Sequence, residues 1–202
     1  MGNASAAWKL WLTLLLVSIA VFIGGEEEWL AIIPGVIIHE LGHYIAARLC
    51  GVRTGKLRAD FWGLRMDMTG MISYGKECLI ALFGPLSNFL TAGMVGCLMV
   101  GGILPPSEPL SLFVYASLGL GTVNLLPVDT MDGGRILSAG ISILCSPAVA
   151  RSCVRATTAL CLGILWLLSA YALLKGAPVL SLFLFCFTLI LRFSLPRSMT
   201  HK

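Results

Sequence analysis

The residues best suited to chemistry in this 202-residue chain are His39, Glu40 and His43, in the run His39-Glu40-Leu41-Gly42-His43. Two histidines at positions i and i+4 of a helix share one face about 6 Å apart, so both imidazoles can bind one metal ion. Glu40 lies about 100° further round the helix, within reach of a water activated at that ion. Given the chain's own His and Glu content, an H-E-x-x-H match is expected by chance in roughly one such sequence in a thousand. A histidine pair can also be a hydrogen-bonded core feature. That alternative fares poorly in an apolar span, where two imidazoles and a carboxylate are costly to place without a task.

A zinc hydrolase needs a third protein ligand and an open fourth position. The remaining histidine, His201, sits in a basic tail, so attention passes to the segment from Asn124 to Arg135, which holds Pro127, Asp129 and Asp132. Chemistry alone does not choose between the two aspartates. The Gly133-Gly134 pair favours Asp132, because it lets the backbone approach closely.

The elements that must position these groups follow from composition. The chain is 57% apolar and only 12% charged, with a mean hydropathy of +0.91, whereas a soluble domain has about 25% charged and 45–50% apolar residues. This excludes an ordinary soluble globule, a disordered chain and a disulfide scaffold. It predicts an all-α polytopic membrane protein, one domain over residues 1–202 with the lipid bilayer as its surroundings. Apolar stretches predict six spans at about residues 10–24, 29–47, 78–103, 110–126, 156–174 and 178–191. With a cytoplasmic amino terminus and strict alternation, thirteen of the fourteen Lys and Arg fall on the cytoplasmic side, leaving Lys175 outside. Both termini are then cytoplasmic. The +4 net charge reads as an orientation signal rather than a sign of nucleic acid or another anionic partner. The same alternation runs the second and fourth spans inward and brings the histidines and the two aspartates to one membrane level. The seven cysteines form no CxxC pair and read as small buried hydrophobes, and the first apolar run, lacking a cleavage pattern, reads as a retained helix.

Two further features bear on the site. Residues 56–69 alternate apolar and polar around Gly63, which predicts a short β-hairpin with Gly63 at or near its turn; an amphipathic surface loop fits the same pattern. Gly84-Pro85 lies inside the third span and predicts a kink. The kink opens a polar recess or turns Asn88 toward the site, or it serves packing alone, with Asn88 bonded to a neighbouring helix.

His39-Glu40-Leu41-Gly42-His43, Phe83-Gly84-Pro85-Leu86-Ser87-Asn88 and Asn124-x-x-Pro127-x-x-x-x-Asp132-Gly133 together resemble the intramembrane site-2 protease family of zinc metalloproteases, closest to the stage IV sporulation protein FB type. The resemblance implies one Zn²⁺ per chain held by His39, His43 and Asp132, with Glu40 as the catalytic carboxylate. It implies that Asn124 and Pro127 shape the site, and it favours a site-lining place for Gly84, Pro85 and Asn88. The segment from Arg48 to Glu77 matches in position the family's membrane-associated strand region, where Phe61 and Gly63 would meet an extended substrate. Neither a nucleotide-sensing CBS domain nor a PDZ domain is expected. The implied activity is hydrolysis of a single-span or membrane-associated protein near the cytoplasmic face of a bacterial membrane, such as release of a sigma factor or cleavage of an anti-sigma factor. A metal or small-solute transporter using the same His/Asp cluster is the competing reading. It predicts polar residues on several spans and repeated halves, and the third, fifth and sixth spans are almost wholly apolar.

Overall fold

The structure, a computed structural model, describes residues 26–60, 63–69, 72–176, 183–184, 186–187 and 189–190. The expected span at 10–24 lies outside the described residues, as does most of that at 178–191. The described elements are helix α1 (Glu26–Leu49), strands β1 (Arg53–Asp60) and β2 (Gly63–Thr69), and helices α2 (Tyr74–Val100), α3 (Glu108–Asn124), α4 (Asp132–Leu144) and α5 (Pro147–Leu174). They fall into two compact units that divide between Leu125 and Leu126.

In the first unit α1, α2 and α3 each pack against the other two. The buried stripe of α1 is Gly35, His39, Gly42, His43, Ala46 and Ala47, spaced by three or four residues as one helical face requires. Its outer face exposes Ile33, Ile37, Leu41 and Leu49. Small and polar residues inside with large apolar ones outside is the arrangement suited to lipid as solvent, where close backbone approach drives helix association. The helix ends in a Schellman turn: Gly51 takes φ +69° and the Val52 N–H donates to the Ala47 carbonyl at 2.9 Å. Val52 then packs with Ala46, Ala47 and Ile80, which fixes where β1 departs.

β1 and β2 pair antiparallel, from Arg53 opposite Thr69 to Asp60 opposite Gly63. The pairing begins three residues before the expected Lys56, and Gly63 is the first residue of β2. Between Thr54 and Leu57 the register shifts by one, so Gly55 and Lys56 oppose Asp67 in a bulge. Phe61 lies outside the described residues.

Two described helices, α2 and α5, are long and apolar enough to cross a membrane. The 17-residue α3 spans about 26 Å at 1.5 Å per residue, slightly short of a hydrocarbon core of about 30 Å. In the second unit, α4 corrects the expectation that residues 127–155 only connect two spans. Its 13 residues are too few for a span, and Ser138, Gly140 and Ser142 interrupt its apolar residues, so no continuous apolar run marks it. α5 begins at Pro147, well before the expected residue 156. Ser146 caps it by accepting from the Val149 N–H at 3.4 Å, and Pro147 suits the first helical position. Arg151 and Arg155 mask this start in an apolar reading although they belong to the helix. Val128, Leu162 and Leu189 form the buried core of this unit.

Candidate metal centre

His39 and His43, one turn apart on α1, place their Nε2 atoms 3.2 Å from each other, with ring centroids 4.8 Å apart and planes perpendicular. Both are buried, at 5% and 8% exposure. Their convergence is imposed by α2, which holds the opposite nitrogen of each ring. His43 Nδ1 lies 2.8 Å from the Ile80 carbonyl; a carbonyl only accepts, so Nδ1 carries the proton and Nε2 keeps the lone pair that a metal needs. His39 Nδ1 lies 3.3 Å from Asn88 Nδ2.

Two glycines allow α2 to come this close. A Cβ on Gly84 would overlap the His43 ring and sit 3.0 Å from His39 Cε1, while a Cβ on Gly42 of α1 would meet the Phe83 carbonyl oxygen at 2.5 Å and Ser87 Oγ at 2.6 Å. Ser87 Oγ also lies 3.0 Å from the Ile38 carbonyl of α1 and 2.6 Å from the Gly84 carbonyl of its own helix. Pro85, buried beside them, has no N–H for the Ala81 carbonyl and loosens the helix ladder there. Glu40 is half-buried on α1 next to His39. Two converging imidazole nitrogens whose second nitrogens are already engaged are the donor set that zinc takes.

In the second unit Asp132 is the first residue of α4 and is 7% exposed. A carboxylate there is favoured by the helix dipole, and Arg135 Nη1 lies 3.3 Å from its Oδ1. The preceding loop folds back over the helix start. The Val128 carbonyl occupies the space that a Cβ on Gly134 would need, and the Met131 N–H donates to that carbonyl at 2.8 Å. Two hydroxyls of α5 hold the loop down. Thr157 Oγ1 donates to the Pro127 carbonyl at 2.9 Å, and the Asp129 N–H donates to Thr158 Oγ1 at 2.9 Å. Asp129 itself is half-buried in the turn.

Of the residues singled out from sequence, Gly84 and Asn88 lie against the histidines, and Pro127 is held by its carbonyl. Asn124, the last residue of α3, turns its carboxamide back to the Leu120 carbonyl at 2.9 Å. Gly63 stands at the start of β2. Sequence reasoning missed the Ile80 carbonyl, Ser87, Thr157 and Thr158. A backbone carbonyl leaves no trace in sequence; Ser87 stands inside the Phe83–Asn88 motif; the adjacent threonines carry no signal beyond being polar in an apolar helix.

No family model matches the chain. It is 28% identical over 114 residues to Rip3 of Mycobacterium tuberculosis, which carries a provisional zinc metalloprotease name; the match covers 54% of this chain and 29% of that protein. It is 34% identical over 119 residues to the zinc metalloprotease MJ0392 of Methanocaldococcus jannaschii, covering 53% of this chain and 32% of that one. The matches thus span about a third of these curated relatives' length. Among solved structures it is similar to a site-2 protease from Methanocaldococcus jannaschii, with a TM-score of 0.61 and 23% identity over 92% of this chain and 86% of that one. The chain therefore has the fold of a site-2 protease, and about half of its sequence is similar to proteins named as zinc metalloproteases.

Proposed function

We propose that the chain is an intramembrane zinc metalloendopeptidase in which, as its sequence motifs imply, His39, His43 and Asp132 hold one zinc ion and Glu40 is the general base. The observation that carries this reading is the convergence of two histidine Nε2 atoms at 3.2 Å on an H-E-x-x-H helix. When bound, zinc would supply Lewis acidity, making water nucleophilic near neutral pH and polarising the scissile carbonyl. Glu40 would take the proton of the attacking water and deliver it to the leaving amine. The helices α1 and α2 would orient the imidazoles and limit the access of lipid and bulk water.

A peptide bond inside a helix is shielded by its hydrogen bonds, so the substrate must enter extended. Among the described residues the β1–β2 ribbon has two strands, and an edge of such a ribbon can be extended by a substrate strand through β-augmentation. We read the substrate as a single-span or membrane-associated protein cut near the cytoplasmic face, with both termini of this chain on that side. Release of a sigma factor or cleavage of an anti-sigma factor, and the stage IV sporulation FB type, rest on the resemblance in sequence motifs.

The test is Glu40→Gln, reconstituted with a candidate single-span substrate. Cleavage should fall by about 10²–10⁴-fold with zinc retained, and chelation of zinc should abolish parental cleavage. Cleavage by Glu40→Gln at the parental rate would sink the assignment. Gly63→Pro and Phe61→Pro should impair cleavage with zinc still bound; unchanged cleavage would remove the strand-pairing part alone.

A further inference from the structure

Arg151 and Arg155 stand one turn apart on the exposed face of α5, and the second unit supplies no acid to meet them. From residue 133 to 202 the sequence holds seven Lys and Arg and no Asp or Glu, so neither arginine has an acidic partner three or four residues away on its own helix. The unit has two carboxylate side chains, Asp129 and Asp132. Asp132 pairs with Arg135, and neither aspartate forms an ion pair with Arg151 or Arg155.

Helix length places this pair against a bilayer. α5 has 28 residues and is long and apolar enough to cross a membrane. Residues 156–174 hold no charge and span about 28 Å at 1.5 Å per residue, close to a hydrocarbon core of about 30 Å. With that stretch in the core, Arg155 stands at the boundary and Arg151 about 6 Å beyond it, in the headgroup layer. Lys175, with Nζ 5.8 Å from the Tyr171 ring centroid, marks the other boundary. The chain leading into the arginines is apolar as well as exposed. Ile143 and Leu144 end α4, Leu144 at 86% exposure, and Val149 is exposed in the first turn of α5. Arginines combined with exposed aliphatic side chains suit a phospholipid, whose phosphate takes guanidinium forks and whose acyl region takes the aliphatic groups. A soluble anion or an acidic peptide would use the charge alone.

We infer that this surface is a docking site for an anionic phospholipid, with Arg151 and Arg155 sharing its headgroup phosphate. Side chains at i and i+4 start about 6 Å apart, so two guanidiniums can close on one phosphate from two sides. The lipid supplies the negative charge that residues 133–202 lack. It also fixes the depth of α5, and with it Thr157 and Thr158, which bond Pro127 and Asp129, just inside the hydrocarbon boundary.

The experiment involves neither zinc nor cleavage. The chain, purified in a neutral detergent, would be titrated with phosphatidylglycerol, with phosphatidylcholine, whose choline offsets the phosphate charge, with inorganic phosphate and with a poly-glutamate peptide, and the adducts read by native mass spectrometry. A basic residue near an anionic lipid surface is worth about fivefold in affinity, so the parent should bind phosphatidylglycerol about 25-fold more tightly than phosphatidylcholine. The double variant Arg151→Gln/Arg155→Gln should lose that preference and bind phosphatidylcholine as the parent does. Arg151→Lys/Arg155→Lys should keep most of it, and Lys175→Gln, at the other end of α5, should keep all of it. A parent without the preference overturns the inference, as does a double Gln variant that retains it or an equal loss in Lys175→Gln. Inorganic phosphate or poly-glutamate bound as tightly as phosphatidylglycerol overturns it too, because the surface would then serve a soluble anion.

Discussion

The two histidines stand on one helix and are fixed from outside by a second helix, whereas Asp132 opens a helix and is fixed by the loop before it. The first arrangement depends on steric contact, with glycines at positions 42 and 84 letting α1 and α2 touch backbone to side chain. The second depends on hydrogen bonds that a folded-back loop accepts from Thr157 and donates to Thr158, with one close approach at Gly134. Packing in a dense interior fails abruptly when volume is added. Hydrogen-bonded loops lose stability by steps of about 1–3 kcal/mol per buried group left unpaired. The two regions should therefore respond differently to comparably small changes.

The largest effect is expected from Gly84→Ala, whose added Cβ overlaps the His43 ring. Zinc binding and cleavage should both be lost, while Gly93→Ala on the same helix, where a Cβ meets nothing within 4 Å, should match the parent in zinc content and helicity. Equal behaviour of the two variants would break the steric half of the comparison. Gly134→Ala comes next, since its Cβ must displace the Val128 carbonyl; cleavage should fall steeply, with competition against a chromophoric chelator reporting weaker zinc binding. Thr158→Val removes the acceptor for the Asp129 N–H and should cost about 1–3 kcal/mol locally, seen as faster hydrogen exchange at the Asp129 amide with partial activity retained. Asn124→Ala loses only a bond within its own helix and should change stability by no more than about 1 kcal/mol; a large fall in cleavage would give Asn124 a task that its Leu120 contact does not.

The parts of the site that were legible in sequence are those that depend on local geometry. An i, i+4 histidine pair predicts its own convergence on a helix, and a carboxylate before two glycines announces a close backbone approach. What could not be read is what the other helix brings. Gly84-Pro85 predicts a kink, but the missing Cβ of Gly84 matters because His39 and His43 occupy its place, which is a tertiary fact. Likewise no residue type announces that the Ile80 carbonyl fixes the tautomer of His43. In the fold, α4 carries no continuous apolar run that would mark it, and Arg151 and Arg155 mask the early start of α5. Ser146-Pro147, a cap followed by a first-turn proline, carried that signal.

The central claim is the proposed choice of Asp132 rather than Asp129 as the carboxylate ligand of the metal. Zinc per chain, measured on purified protein after desalting for the parent, Asp129→Ala and Asp132→Ala, tests it most directly. The account predicts one zinc per chain in the parent and in Asp129→Ala and its loss in Asp132→Ala. Zinc retained in Asp132→Ala and lost in Asp129→Ala would contradict it.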